Sequence, residues 1–424
     1  MPRSNTHEGF GSPTSRERRP DPGASMDSSA GIERKAYALN RAAKDEHKPR
    51  VLVLPAIFAV GGVERNTAAV MRQLADRFRF VVVTNERHTE EGGCLLDAIV
   101  PDSEAIFDLA SISPRSEHLE LLREICGRFP PDLVWVCNGS VWYHENIEPI
   151  LTLFGKVPLV DQQVYDWQEG WVNHLTASYV SRVARLVAIN SEIRKKFINT
   201  FDCADKIDLI YHAIDTDRLP APARSNPAAG RDGQRVSRYF FIGRLTDQKR
   251  PLDLIETASI IEQSGETIEI VMIGNGPLAQ SCAARVRETG VSNISMRPFT
   301  DRVADIYAEA DAIIFTSAYE GLPIVMLESL ASGVPVISTD VGDIRRVADE
   351  LGGGCMVVDE AIGHPDRMAS ALLDFDRNLS RYQSEAIGVA ATVRQRFGSE
   401  KVASDYFECW AAAWQAYADR DVAF

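Results

Sequence analysis

Two glutamates and two cations in the second half of the sequence have the types and spacing to hold a phosphorylated sugar. Glu320 and Glu328 are separated by seven residues, which begin with Gly321-Leu322-Pro323. A carboxylate can accept hydrogen bonds from both hydroxyls of a vicinal diol, which ribose and pyranose rings offer. Arg244 and Lys249 lie five residues apart across a predicted strand-to-helix turn. An arginine fork and a lysine point charge that converge there can clamp a diphosphate.

The elements around the two glutamates follow the order strand, loop, helix, strand. The apolar run at 312–315 predicts a buried parallel strand, and the run at 334–338 predicts the next one. Pro323 suits the first turn of a helix, because its missing N–H would have no partner there. In a parallel sheet the loop opens at the carboxyl ends of the strands, and the helix start favours an anion. We therefore expect both carboxylates to face one pocket.

Three turns that contain glycine follow other predicted strands. Glycine lets the backbone approach a phosphate or a sugar closely. The turn at Gly61-Gly62 is not a G-x-G-x-x-G turn, so a nicotinamide site is disfavoured. The turns contain Gly61, Gly62 and Glu64 in the first, Gly243 in the second, and Gly274 and Gly276 in the third.

Length and composition exclude several classes of function. A chain of 424 residues predicts two to three domains. The net charge of -14 argues against a nucleic-acid partner, which would need a basic surface. No apolar run approaches the roughly 20 residues of a membrane span, and the amino terminus lacks the apolar core of a signal peptide. The seven scattered cysteines predict reduced thiols rather than disulfides or zinc ligands. We expect a cytoplasmic protein.

The segment EGLP…E, the GRL-x-x-x-K turn and the G-x-G-P turn together resemble the retaining GT-B glycosyltransferases of family 4. The resemblance extends over roughly residues 50–420. It implies an α/β protein whose two Rossmann-like parallel-sheet domains face each other across a cleft, with the C-terminal helix crossing back to the first domain. The alternating strand and helix patterns are consistent with such doubly wound sheets.

Five segments are predicted on this basis. The Ser-, Pro-, Gly- and Arg-rich residues 1–47 are expected to be a disordered tail, because they can bury little apolar surface. An acceptor domain over 48–217, a linker over 218–235 and a nucleotide-sugar domain over 236–398 follow. Residues 399–424 are expected to form the returning helix, with its aromatic side chains on the first domain.

The resemblance also assigns roles to the residues singled out above. Arg244 and Lys249 would stabilise the leaving diphosphate in place of a metal ion, and Glu320 would hold the transferred sugar; these three are the expected catalytic residues. Glu328 would hold the ribose. Donor binding would also involve Gly321, Leu322, Pro323, Gly243, Gly274 and Gly276, and the cleft loop near the acceptor would contain Gly61, Gly62 and Glu64.

The sequence departs from the family pattern in the first domain. Many family members have a histidine at the end of a later strand, where this chain has Asp161-Gln162-Gln163. His144 and His174 are near in sequence but lack the strand-end setting, and we expect both on the surface. Asp215-Thr216-Asp217 spells a D-x-D metal motif of another fold, which is disfavoured because it runs into the linker.

The expected activity is transfer of a hexose-type sugar from a nucleoside-diphosphate sugar, with retention of configuration and without metal or other cofactor. The acceptor would be a glycan, a lipid-linked molecule or a small molecule, and a lipid-linked one would bring peripheral contact with the inner membrane face. Two alternatives are a sugar-nucleotide epimerase of the same fold and a non-catalytic sugar-nucleotide-binding protein. UDP, GDP, ADP and dTDP sugars are all candidate donors.

Overall fold

The structure is a computed structural model, which describes residues 32–40, 47–59, 61–88, 93–164, 171–222, 228–229, 235–300 and 302–422. The strands are β1 (Ala38–Leu39), β2 (Arg50–Pro55), β3 (Arg79–Thr84), β4 (Ala105–Asp108), β5 (Leu133–Cys137), β6 (Leu159–Gln163), β7 (Arg185–Ala188), β8 (Ile207–Leu209), β9 (Ala228–Ala229), β10 (Arg235–Ile242), β11 (Ile268–Ile273), β12 (Ile294–Arg297), β13 (Ala312–Phe315), β14 (Val336–Thr339) and β15 (Cys355–Val358).

The helices alternate with these strands, and none of those described has the length and apolar character of a membrane span. They are α1 (Gly62–Leu74), α2 (Leu96–Ile99), α3 (Leu109–Ile112), α4 (His118–Arg128), α5 (Val141–Glu145), α6 (Ile147–Phe154), α7 (Ala177–Arg182), α8 (Ser191–Phe201), α9 (Pro251–Ser264), α10 (Ala279–Thr289), α11 (Val303–Glu309), α12 (Ile324–Ala331), α13 (Ile344–Leu351), α14 (Pro365–Arg377), α15 (Leu379–Phe397) and α16 (Ser399–Val422).

The first domain is built on an eight-stranded sheet with the order β1-β4-β3-β2-β5-β6-β7-β8. All pairs except β1–β4 are parallel. The central strands are buried along their whole length, as expected where helices cover both faces of a parallel sheet. The strand order reverses between β2 and β5, so the loops after these two strands open a crevice at the carboxyl edge.

A short part of the predicted disordered tail is folded, so the prediction is wrong for residues 32–40. β1 pairs antiparallel with β4, in the register Ala38↔Ile106. Ile32 is buried in the core of the first domain because its apolar side chain has a neighbouring hydrophobic cluster to join. Residues 1–31 and 41–46 lie outside the described part of the chain.

The second domain is built on the sheet β12-β11-β10-β13-β14-β15, which is parallel throughout; β9 pairs antiparallel with the start of β10. Its strand order reverses between β10 and β13, which pair in the register Tyr239↔Ala312. Both strands therefore end at the same edge, and the loops after them meet at the switch point. These are the loops that contain the two cations and Glu320.

The last two helices belong to different domains. α15 packs on α12 of the second domain, whereas α16 packs on α1 and on the first sheet. Trp410 lies fully buried against Phe78 and Trp135, with both ring-centroid separations at 5.3 Å. The chain passes between the domains beside Ile214, whose N–H donates to the Phe397 carbonyl at 2.8 Å. The predicted fold class, two parallel-sheet α/β domains with a returning helix, is confirmed.

Candidate active site

The loops after β10 and β13 are joined by hydrogen bonds at the switch point of the second sheet. The Ala318 N–H donates to the Gln248 carbonyl at 2.8 Å, and the Gln248 side chain donates to the Tyr319 carbonyl at 3.1 Å. The Thr316 hydroxyl donates to the Lys249 carbonyl at 2.9 Å. These hydrogen bonds hold the two loops side by side, although Lys249 and Glu320 are 71 positions apart in the sequence.

Lys249 and Glu320, predicted separately from the sequence, form an ion pair with each other. The lysine ammonium and the Ser317 hydroxyl (2.6 Å) both donate to Oε1 of Glu320. The Glu320 side chain is only 8% exposed and the Lys249 side chain 18%, so the pair is held in a partly dehydrated setting. Electrostatic attraction is stronger there than in bulk water.

Arg244 lies at the same turn as Lys249 but in a different environment. Its side chain is exposed, and it forms no ion pair with any residue of the described chain. The Lys249 stem runs along the backbone of Gly243, where an added Cβ would lie 3.6 Å from its Cε. The structure therefore places both cations at the carboxyl end of β10, one available to solvent and one engaged by Glu320.

Glu328 lies on α12 and faces the first domain. The Tyr307 hydroxyl donates to its Oε2 at 2.9 Å. Burial raises the pKa of Glu328, whereas the Tyr307 hydrogen bond and the charges of Arg65 and Arg218 lower it. Arg65 belongs to α1, so the first domain contributes to the electrostatics of this carboxylate. That Glu328 and Glu320 face one pocket stays a prediction.

The start of α12 differs by one residue from the sequence-based expectation. Pro323 is the N-cap residue, with an extended ψ of 125°, and the helix begins at Ile324. Proline has no N–H to leave unpaired at this boundary. Gly321 packs against the first domain, because a Cβ there would lie 3.0 Å from the side-chain nitrogen of Asn190. Leu322, between Gly321 and Pro323 in the chain, is half-buried.

Gly274 and Gly276 are required by the packing of two backbone turns. Both have positive φ values, of 151° and 154°. A Cβ on Gly274 would lie 1.9 Å from the Gly243 oxygen, and one on Gly276 would lie 2.6 Å from the Leu245 oxygen. These distances exclude any side chain. The turn after β11 therefore supports the turn after β10, and its contact with a nucleotide stays a prediction.

The glycine loop of the first domain approaches the start of α12 across the cleft. A Cβ on Gly62 would lie 3.1 Å from Cδ1 of Ile324 and 3.7 Å from Nδ1 of His212. Gly61 is the N-cap of α1, and the Glu64 carboxylate folds back over it. Burial raises the pKa of Glu64, whereas a hydrogen bond from its own backbone N–H lowers it. This loop and Asn190 are two parts of the first domain that approach the segment after Glu320.

The three residues that replace the expected histidine are fully buried and bonded within the first domain. Asp161 accepts hydrogen bonds from the Tyr179 hydroxyl (2.8 Å) and from the Gln163 amide (2.9 Å). Burial raises the pKa of Asp161 to about 6. Gln162 accepts from the Tyr406 hydroxyl of α16 at 2.5 Å. These contacts use one polar atom of each glutamine, whereas Nε2 of Gln162 and Oε1 of Gln163 are buried without a hydrogen-bond partner among the described residues.

The two histidines that we expected on the surface differ from each other. His174 is exposed, as expected. His144 is half-buried, and its Nδ1 lies 2.8 Å from the Ser140 carbonyl. Burial lowers its pKa to about 4, so the imidazole is neutral at physiological pH. The expectation was wrong for His144 because α5 folds this side chain back over Gly139.

Sequence reasoning missed a contact between the domains near Glu320. The Asp343 carboxylate, at the start of α13, accepts hydrogen bonds from the N–H and the hydroxyl of Ser191 on α8 and from the Tyr211 hydroxyl. The only signal in the sequence was that Asp343 follows the strand after the Glu328 helix. In the part of the chain described, no cluster of three carboxylate, histidine or cysteine side chains could hold a metal ion.

Two family models match the chain, one for each domain. The model described as Glycosyltransferase Family 4 matches residues 60–218, and the model described as Glycosyl transferases group 1 matches residues 237–377. Together the matches span more than two thirds of the sequence.

Curated relatives and solved structures agree with these matches. The lipopolysaccharide 1,6-galactosyltransferase of Escherichia coli strain K12 is 26% identical over 241 residues, which are 53% of this chain and 61% of the relative. The chain thus spans about three fifths of the length of that relative. A glycosyltransferase from Rickettsia africae has a TM-score of 0.68 at 16% identity, covering 87% of this chain and 99% of the other. The Anabaena protein HepE in complex with UDP-glucose has a TM-score of 0.63 at 15% identity, covering 86% and 99%.

Proposed function

Because the chain belongs to family 4 of the glycosyltransferases, with the GT-B fold, we propose that it transfers a hexose-type sugar from a nucleoside-diphosphate sugar to an acceptor. The observation that carries the proposal is the Lys249–Glu320 pair at the switch point of the second sheet, beside the exposed Arg244. The names of the galactosyltransferase relative and of the UDP-glucose complex support the same class of donor.

The second domain would bind the donor through its diphosphate. Arg244 presents a guanidinium to solvent at the turn after β10, and Lys249 lies at the same turn. The N-terminus of α12 adds the partial positive charge of a helix start. As the bond to the sugar breaks, negative charge develops on the diphosphate, and these groups would stabilise it without a metal ion. Removal of either cation should cost on the order of 3 kcal/mol, or about a hundredfold in rate.

The two glutamates would hold the two sugars of the donor. Glu320 is positioned by Lys249 and Ser317 through one oxygen, and its carboxylate keeps further acceptor capacity for hydroxyls of the transferred sugar. Glu328 is fixed by Tyr307 and would accept from the ribose diol. Glu320→Ala with undiminished turnover, or Glu328→Ala with unchanged donor affinity, would contradict these roles.

The first domain would present the acceptor at the Gly61-Gly62 loop, which lies against the start of α12. We propose retention of configuration by attack on the same face of the sugar within an ion pair, in keeping with the family. The acceptor would be a glycan, a lipid-linked molecule or a small molecule. A lipid-linked acceptor predicts peripheral binding at the inner membrane face, which flotation of the purified protein with acceptor-containing liposomes tests.

A donor screen tests the proposal. The purified protein is mixed with each common UDP-, GDP-, ADP- and dTDP-sugar, and the donor-induced thermal shift is scored together with release of the nucleotide. A shift with one donor, together with slow release of its diphosphate, would support a transferase. Formation of an isomeric sugar nucleotide without acceptor would indicate an epimerase instead, and a shift without release from any donor or acceptor mixture would indicate a binding protein.

A further inference from the structure

We propose that Asp343 is a positioning residue, which aligns the first domain with the Glu320 loop so that the acceptor meets the donor. The inference rests on the proposed function, because its kinetic consequences presuppose sugar transfer. The structural basis is a set of hydrogen bonds that joins α8 of the first domain to α13 of the second.

Asp343 makes bonds across the domains where a local bond would be expected. It is the N-cap residue of α13, and an aspartate there usually accepts from an N–H of its own first turn. Its side chain makes no such cap. Instead it accepts from the Ser191 N–H at 2.7 Å, which belongs to the first residue of α8, and from the Ser191 hydroxyl. The Tyr211 hydroxyl donates to it at 2.7 Å.

The carboxylate is almost completely buried, with 1% of Asp343 exposed. The guanidinium of Arg346 lies 3.3 Å away on its own helix and 5.5 Å from the centre of the Tyr211 ring. A buried carboxylate that loses its donors is costly, so the bonds to Ser191 hold the two domains at one angle. Tyr211, which packs in the hydrophobic cluster of the second domain, fixes the carboxylate in place.

The same residue also holds the loop that contains Glu320. The Asp343 N–H donates to the Gly321 carbonyl at 2.9 Å. Gly342 has a φ of +56°, and a Cβ there would lie 2.3 Å from the Glu320 carbonyl oxygen. The backbone at 342–343 is therefore in direct contact with the backbone at 320–321. One residue thus links the α8 end of the first domain to the candidate sugar-binding loop.

This arrangement predicts different effects on donor and acceptor. Among the groups proposed to bind the donor, Lys249 and Glu320 hold each other and Glu328 keeps its hydrogen bond from Tyr307, and all of these contacts lie within the second domain. The proposed acceptor loop belongs to the first domain, and its distance from the donor depends on the angle between the domains. Loss of the Asp343 carboxylate should therefore impair transfer to the acceptor and leave binding of the donor nearly unchanged.

The test compares Asp343→Asn with Asp359→Asn. Asp359 is a matched control because it pairs with Arg345 in the same domain, is exposed, and contacts no described residue of the first domain. We expect kcat/KM for the acceptor to fall on the order of tenfold to a hundredfold in Asp343→Asn only, since small misplacements of reacting groups have effects of this size. The Kd of the donor should stay within about twofold of wild type.

Two further measurements separate alignment from a general loss of structure. Ser191→Ala removes one donor and retains the backbone N–H, so it should have a smaller effect. Combined with Asp343→Asn it should add nothing, because both changes break the same contact. The radius of gyration, measured by small-angle X-ray scattering without ligands, should rise in Asp343→Asn and not in the control.

Equal radius of gyration and equal acceptor kcat/KM in Asp343→Asn and Asp359→Asn would overturn the proposal. A loss of donor affinity as large as the loss of acceptor kcat/KM would also overturn it, because the residue would then support the donor loop alone. If the wild-type protein transfers no sugar from any donor, the proposed function fails instead, and the scattering comparison still decides whether Asp343 holds the domains together. Should Asp343→Asn not fold, Ser191→Ala and Tyr211→Phe carry the same comparison.

Discussion

Replacing Glu320 by glutamine should have opposite effects on nucleotide binding and on catalysis. In the structure, Glu320 neutralises Lys249, which is the cation proposed to bind the diphosphate. A diphosphate that binds Lys249 must share the ammonium with this carboxylate and must tolerate its negative charge. Glu320→Gln removes the charge and keeps the shape and the Ser317 contact. The variant should bind the free nucleoside diphosphate more tightly, while sugar transfer falls by about a hundredfold because the sugar loses its carboxylate.

The size of the gain follows from Coulomb's law. Two groups that bind opposite sides of one ammonium are separated by about 6 Å, at which two unit charges repel by roughly 0.7 kcal/mol in water and roughly 2.8 kcal/mol at an effective dielectric constant of about 20. The Lys249 side chain is 18% exposed, so water reaches one side of the pair. A value of about 1 kcal/mol is therefore expected, which corresponds to about a fivefold lower Kd.

Isothermal titration calorimetry with the diphosphate of the donor identified by the screen measures this change. Glu269→Gln is the matched control, because Glu269 pairs with Arg238 at the opposite edge of the same sheet, with a separation of 2.9 Å. Its Kd should equal that of wild type. The gain should shrink at high salt, which screens a partly exposed charge. An unchanged or weaker affinity in Glu320→Gln would refute the idea that Glu320 and the diphosphate compete for Lys249.

Three further predictions concern buried carboxyl groups and one turn. Burial raises the pKa of Glu328 and the hydrogen bond from the Tyr307 hydroxyl lowers it, so Tyr307→Phe should raise this pKa further. On acidification, the KM for the donor should therefore begin to rise at a higher pH in Tyr307→Phe than in wild type. Burial raises the pKa of Asp161 to about 6, which favours the protonated folded state and contributes stability that is lost as the pH rises through about 6. Between about pH 4 and pH 8 the wild type should lose up to about 3 kcal/mol of unfolding free energy relative to Asp161→Asn, measured by urea titration. Gly274→Ala should lower the free energy of unfolding, measured by thermal denaturation, by more than about 3 kcal/mol, because backbone atoms occupy the place of the added methyl group. Gly265→Ala, at φ +77° in open space, should lower it by about 1 kcal/mol.

Coincident pH profiles of donor KM in wild type and Tyr307→Phe would remove the electrostatic role of that hydroxyl. Parallel stability curves for wild type and Asp161→Asn would mean that the buried carboxyl group does not change its charge state on folding. Equal costs at Gly274 and Gly265 would show that the turn after β11 can move away from the turn after β10.

The sequence identified the main groups of the site because each lies in a locally recognisable turn. Lys249 and Glu320 both follow predicted strands, and such strands end at the edge where ligands bind. Their pairing could not be predicted, because it depends on β10 and β13 being neighbours although two strands lie between them in the chain. Strand order is set by packing of the whole sheet, and hydrophobic periodicity does not encode it.

The same limit explains the contacts that were missed. Asp343 binds Ser191 from 152 residues away, and nothing local distinguishes it from a capping aspartate. His144 was expected on the surface because a short helix of mixed composition does not reveal which side chain folds inward. Asp161 interrupts an apolar strand, which indicated an unusual position, but its partner Tyr179 is supplied by the next helix along the chain.

The return of α16 to the first domain has a consequence for synthesis of the protein. Trp410 and Tyr406 complete the hydrophobic cluster around Phe78, yet the whole second domain lies between these parts of the chain. At about 5–20 residues per second, residues 219–398 take roughly 10–40 s to emerge from the ribosome. Throughout this time the cluster around Phe78 lacks its covering helix and exposes apolar side chains. The first domain to be translated is therefore the last to be completed.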